Sequence, residues 1–209
     1  MTSKLEVYNL ALRHLGERKL ASLAEAREPR RAIDDVWERG VRYCLEQGLW
    51  NFALRTVLLD ASPSISPAFG YTHAFAKPGD WIRTAQVADN ETLRPPLLDY
   101  SDEADLWYAN CDPLYVQYVS DAVSYGFDLS RWTETFTEYV AVTLARRICK
   151  GITSSESVHD ELMRLEKRAR SDARAKDAMN QAVAFPPQGT WVRSRTGGRT
   201  HHNTDNRPR

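Results

Sequence analysis

The residues that could do chemistry are few and scattered. Histidines stand at His14, His73, His159, His201 and His202, and cysteines at Cys44, Cys111 and Cys149. A zinc site needs three or four such ligands, usually announced by spacings such as C-x-x-C or H-E-x-x-H. None of those spacings occurs, and His201-His202 alone would bind a metal weakly. Asp34, Asp35 and Glu38 offer carboxylates for acid–base work, but they fall off the apolar stripe of their segment and read as a solvated helix face. His159-Asp160-Glu161 reads the same way. No serine sits in G-x-S-x-G, and no cysteine carries a sequence-level hint of activation. Thr196-Gly197-Gly198-Arg199 is too short to cradle a phosphate. No catalytic residue, cofactor or metal ligand is assigned, and an enzyme is the less favoured reading.

The charged groups are more telling. The whole chain balances 28 basic against 28 acidic residues, so no global field selects nucleic acid or a membrane surface. Between Phe185 and Arg209, however, Arg193, Arg195, Arg199, Arg207 and Arg209 face only Asp205, a local net of +4. With Trp191, this composition suits phosphates and a stacked base of nucleic acid. It equally suits an acidic crevice between protein subunits, with Trp191 as the aromatic anchor. A solvated tail is the third reading. Phe185, Trp191, Val192, Arg193, Arg195 and Arg199 are the candidates for docking in an arm over 183–209, which alone should be disordered.

The elements that carry these groups divide in three. At 209 residues with 42% hydrophobic and 27% charged content, the chain has an ordinary globular composition. It has no apolar run of the ~20 residues a membrane span needs. Its start, MTSKLEVYNL, does not read as a secretory signal. Three widely separated cysteines fit a reducing compartment, hence synthesis in a cytoplasm. Leu5, Tyr8, Leu12 and Leu15 mark a first helix stopped by Gly16. Pro29 opens a second, whose stripe runs Ile33, Val36, Trp37, Gly40, Val41, Cys44, Leu45 to about Gly48. Gly40 on that stripe predicts close approach of a neighbouring backbone. Trp132, Phe136, Val140, Leu144 and Ile148 predict a third helix from about Ser130 to Gly151. A Thr153/Glu156 capping box would start a fourth, reaching toward Gln181.

Between them the period changes. FALRTVLLD, WIRTAQVAD, LWYAN and PLYVQYV predict three to five short antiparallel strands in a meander. In FGYTHAFAKPGDWIR, residues 69–83, Phe69, Tyr71, His73 and Phe75 alternate, which predicts one aromatic face packed inside the strands or at their root. His73 reads as packing rather than catalysis. Lys77-Pro78-Gly79-Asp80 predicts a corner rather than a tight hairpin, because L-proline fits turns that splay paired strands. Phe69, Tyr71, Phe75 and Trp81 are the expected contacts of this β-rich stretch. The fold class expected is α+β, mainly α: a bundle of about four helices with a small antiparallel β insertion and an extended C-terminal tail.

Five stretches taken together resemble the tail tubular protein A family, the head-to-tail adaptors of short-tailed phages. They are YNLALRHLGE, VRYCLEQGLWNFALRTVLL, FGYTHAFAKPGDWIRTAQV, DPLYVQYVSDA and FTEYVAVTLARRICKGIT, in family order over about residues 5–182. The resemblance implies a structural protein of the virion without catalysis. It would form a ring, usually of twelve copies, between the portal protein and the tail nozzle (tail tubular protein B-like), with phage DNA passing through its channel without specific binding. It also implies one adaptor domain over 1–182, with a helical body at 1–49 and 128–182 and a β-rich insertion at about 50–125. The 183–209 arm would then reach the portal. A lumen that passes DNA should not bind it tightly, so mixed or acidic charge is expected there. The alternative is a cytoplasmic nucleic-acid-binding protein using the basic arm.

Overall fold

The computed structural model describes residues 2–180; Phe185, Trp191, Val192, Arg193, Arg195 and Arg199 lie outside the described residues. Four helices and six strands alternate in blocks: two helices, then the strands, then two helices. Helix α1 (Lys4–His14) begins at a capping box, in which Ser3 Oγ accepts the Glu6 N–H at 3.2 Å and the Glu6 carboxylate accepts that of Ser3 at 3.4 Å. It stops where Gly16 turns to φ +72. Helix α2 (Glu28–Glu46) carries Pro in its first turn and buries Ile33, Trp37, Gly40, Val41, Cys44 and Leu45. Helix α3 (Glu134–Ile152) is buried almost all round and packs against α1, α2 and α4 (Glu156–Met179), which makes it the centre of the bundle. The 24 residues of α4 span about 36 Å and bury only Leu162, Ala169, Ala173 and Asp177.

Three helix expectations need correcting. What approaches Gly40 is a side chain: an added Cβ would stand 2.6 Å from Leu144 Cδ2 of α3. Helix α3 begins later than its apolar stripe, because Trp132 ends a short 3-10 turn (Leu129–Arg131) and donates its indole N–H to the Gly126 carbonyl at 2.9 Å. Helix α4 is capped by Ser155, whose Oγ accepts the Val158 N–H at 3.4 Å, and not by Thr153. Thr153 Oγ1 instead bonds back to the Cys149 carbonyl at 3.0 Å.

The strands form two three-stranded antiparallel sheets. One has the order β1 (Leu54–Leu59), β6 (Leu114–Ser120), β3 (Trp81–Ala88); the other β2 (His73–Ala76), β5 (Leu106–Ala109), β4 (Tyr100–Glu103). The expected meander is therefore wrong. The first strand pairs with the last, from Leu54↔Val119 to Leu59↔Leu114, and β6, buried along most of its length, takes the central place. The tight hairpin rejected for Pro78-Gly79 is indeed not there: β2 and β3 belong to different sheets. Phe75, Val87, Trp107, Ala109, Leu114, Val116 and Tyr118 make a core between the sheets. A separate core joins the helices around Tyr8, Trp37, Trp50, Phe136 and Tyr139, and Val119 reaches it from β6. Each such buried side chain stabilises by roughly 1.5–3 kcal/mol.

Candidate interaction surface

The corner at Lys77–Asp80 is held by two polar clusters. Lys77 Nζ, with its side chain 5% exposed, donates to Asp102 Oδ1 at 2.5 Å and to the Ala104 carbonyl at 2.6 Å. It also lies 4.0 Å from the Trp81 ring centroid and 5.6 Å from that of Trp107. Asp102 Oδ2 accepts from Thr84 Oγ1 at 2.6 Å and Trp107 Nε1 at 3.1 Å. Burial alone would raise the Asp102 pKa, but these donors and the lysine charge outweigh it and hold the carboxyl below its ordinary value. One residue run thus ties β4 and β5 of one sheet to β3 of the other.

Asp80 does the equivalent work toward β1 and β6. Its carboxylate accepts from Arg55 at 2.8 Å, from the Tyr118 hydroxyl at 3.0 Å and from Ser120 Oγ. Burial again opposes ionisation, and the bonds from Ser120, Arg55 and Tyr118 prevail, so its pKa is lowered. Burial and the Asp80 bond push the Tyr118 phenol upward. Every acid here is spoken for by a structural partner, and Cys44 is equally inert: burial pushes its thiol up to about 12. Among the described residues no group of three or more His, Cys, Asp and Glu could hold a metal, and no helix is long and apolar enough to cross a membrane.

The predicted aromatic face divides. Phe75 is fully buried, and Trp81 packs half-buried under Lys77. Phe69 does not join them: it is 89% exposed, because Gly70 at φ +87 turns the chain before β2 begins. His73 is half-buried beside Phe75, their ring centroids 6.5 Å apart, in the packing role expected of it. Asp34 departs from the solvated face expected of it. It accepts from the Tyr8 hydroxyl at 2.5 Å, pairs with Arg30 and Lys4, and fastens α1 to α2.

A further group of side chains lies at the surface. Phe75, Trp107 and Asp102 lie opposite one another across β2, β5 and β4 and face the inner core. The alternation of strands therefore sends Ala74, Tyr108, Ser101 and, two residues on, Glu103 to the other face. There Pro67, Phe69, Tyr71, Tyr108 and Glu103 line an open cavity of about 410 Å3. Tyr71 donates weakly to Asp99 at 3.4 Å, and its pKa is raised by desolvation and by the negative charges of Asp99 and Glu103. Among the described residues the Glu103 carboxylate accepts a bond from Ser101 Oγ, at 2.7 Å. Neither Asp99 nor Glu103 has a cationic partner among the described residues. Sequence reasoning passed over Asp99, Glu103 and Tyr108. The signal was the acid-rich YSDEAD run, which masks β4 because Asp and Glu are poor strand formers.

Charge is segregated along the fold. From Asp89 to Asp112 seven acids face one arginine, a local net of −6, and Leu98 stands 87% exposed among them. On α4, from Arg164 to Lys176, six cations face two acids, a local net of +4. Arg164, Lys167, Arg174 and Lys176 are exposed and have no carboxylate within ion-pair distance among the described residues. In comparisons with known proteins, no family model matches the chain and no curated protein matches it.

Proposed function

We propose that the protein is a structural phage head-to-tail adaptor, assembled as a ring between portal and tail nozzle and traversed by DNA. The observation that carries this reading is the amount of surface built for partners rather than for chemistry. Phe69 at 89%, Leu98 at 87% and Val123 at 83% exposure are large apolar groups left in water along the strands and the turn after them. Lys77, Asp80, Asp102 and Glu166, by contrast, are consumed in structural bonds. The resemblance over residues 5–182 supplies the identity of the partners, and the helices flanking an antiparallel β region accord with it. Net neutrality lets many copies assemble without mutual repulsion, while segregated patches give each copy two unlike sides.

The test is an electron micrograph of the full chain mixed with portal particles. A ring of about twelve-fold symmetry added below the portal is the expected result; portal particles with no added density at saturating protein would sink the reading. The unpaired cations on α4 and the basic arm favour a nucleic-acid-binding protein as the second reading. Truncation after Ala184 separates the two. An adaptor core stays soluble and loses portal attachment, whereas a nucleic-acid binder loses retention of duplex DNA with a steep salt dependence.

A further inference from the structure

We propose that the acidic, aromatic face of the β2-β5-β4 sheet receives the basic face of α4 from a second copy of this chain. The proposal deepens the assembly reading above and rests on it. Three observations select this occupant. The cavity beside Phe69 combines tyrosine rings, Tyr71 and Tyr108, with the Glu103 carboxylate, and Asp99 stands beside it against the Tyr71 hydroxyl; among the described residues neither carboxylate has a cation of its own. Rings plus unpaired carboxylates form a receptor for ammonium or guanidinium groups, which gain from both the π-faces and the charge. Of the α4 cations that lack carboxylates among the described residues, Arg164, Lys167 and Arg174 share one exposed face of the helix, whereas Lys176, nine residues on from Lys167, lies about half a turn round from it.

The spacings agree. Asp99, immediately before β4, and Glu103, at its end, are four residues apart, at most about 13 Å. Lys167 and Arg174 are two helical turns apart, about 10 Å, and Arg164 to Arg174 spans about 15 Å. A helix laid along β4 therefore offers cations at the pitch of the carboxylates. Phe69 and Met163, the latter 51% exposed on α4, give each side an apolar contact within its charged patch. Where the two faces of one copy meet different neighbours the contact is heterologous: a single pairing leaves one copy with a free acidic face and the other with a free basic face, which a closed ring satisfies.

The experiment mixes 15N-labelled and unlabelled full-length protein and treats it with a carbodiimide, which joins a carboxylate to an amine in direct contact. The expected products are mixed-isotope peptides linking Glu103 or Asp99 to Lys167. Their yield should fall about tenfold between 0.1 and 1 M salt, as the Debye length shrinks from about 10 to about 3 Å. It should fall at least as far in Asp99→Lys/Glu103→Lys. Adding Lys167→Glu should restore it, because the swapped groups still meet; circular dichroism checks that each variant is folded. Links between copies that join other residues, or no links, overturn this contact. If micrographs then still show a ring on portal, the adaptor reading stands without it; if the links form and no ring appears, the contact stands and the adaptor reading fails. Loss of duplex oligonucleotide binding in Lys167→Glu, with no Glu103–Lys167 link, would assign α4 to nucleic acid and also overturn the proposal.

Discussion

Replacing Lys77 by Met removes a charge while keeping most of the side-chain volume, and the structure states what that charge does. Its ammonium makes two short bonds, to Asp102 at 2.5 Å and to the Ala104 carbonyl at 2.6 Å, beneath the Trp81 ring at 4.0 Å. Removing one member of a buried pair ordinarily costs about 3–5 kcal/mol, because the other charge is stranded. Asp102 keeps 30% side-chain exposure and two further donors, Thr84 and Trp107, which reduces the penalty. We therefore expect Lys77→Met to destabilise by about 2–3 kcal/mol at pH 7. Urea unfolding followed by tryptophan emission reads this directly, with a lowered midpoint and an unchanged slope. Adding Asp102→Asn removes the stranded charge and should recover about half of the loss. The pH dependence has a fixed sign. The Asp102 pKa is lowered in the folded protein, so its contribution is present above the ordinary carboxylate value and is lost as pH falls through the lower folded value. The gap between wild type and Lys77→Met must therefore narrow in acid. A loss below about 0.5 kcal/mol at pH 7, or no recovery in the double variant, would refute the claim that this cluster joins the sheets.

Three further outcomes follow from the geometry. Asp80→Asn should cost about 2 kcal/mol at pH 7, since charge-assisted bonds from Arg55, Tyr118 and Ser120 weaken together, and its lowered pKa makes that cost fade in acid when urea midpoints are compared. Asp177→Asn should behave oppositely. Burial raises the Asp177 pKa despite the bond from the Asn51 N–H, so its ionisation opposes folding above the folded pKa and is relieved as pH falls through it; the variant should match or exceed wild-type stability at pH 7. Gly126→Ala should lower the melting temperature severely, by the equivalent of about 3 kcal/mol or more, because its methyl would collide with the Ser120 carbonyl oxygen and with Leu45 Cδ1, 2.7 Å away.

How legible the fold was depends on where each signal lives. The helices were readable because their periods and caps are local: α1 stops at Gly16 and α2 opens around Pro29 as their residues dictate. The errors begin where tertiary partners decide. Gly40 looked like a backbone contact, but only the packing of α3 identifies Leu144 as its neighbour. Strand β4 was missed because YSDE has the composition of a turn, and its pairing with β5 together with the Lys77–Asp102 bond makes it a strand. Alternation placed Phe69 with Phe75, yet a glycine at positive φ turns the chain between them. The surface met the same limit. Aromatic residues 69 and 71 were marked, but Glu103 and Tyr108 reach them only through the fold.

The pairing of β1 with β6 has a consequence for how the chain organises itself in time and for what it tolerates. Leu54 and Val119 are register partners, so the long excursion between them returns to its point of departure. Once that pairing closes, α2 and α3 are separated by an effectively short tether, and the entropy of bringing them together falls accordingly. Pairing of the two strands should thus accelerate bundle formation rather than wait for it. The bundle, for its part, registers the excursion through the adjacent strand ends and through the start of β3, where Ile82 packs on the helical core and Arg83 donates to the Glu46 carbonyl. Exchanging everything distal to them for another β unit with the same exit geometry is expected to leave the helices folded, as circular dichroism at 222 nm would read. Such an exchange would re-address the protein to a different neighbour while keeping its trunk.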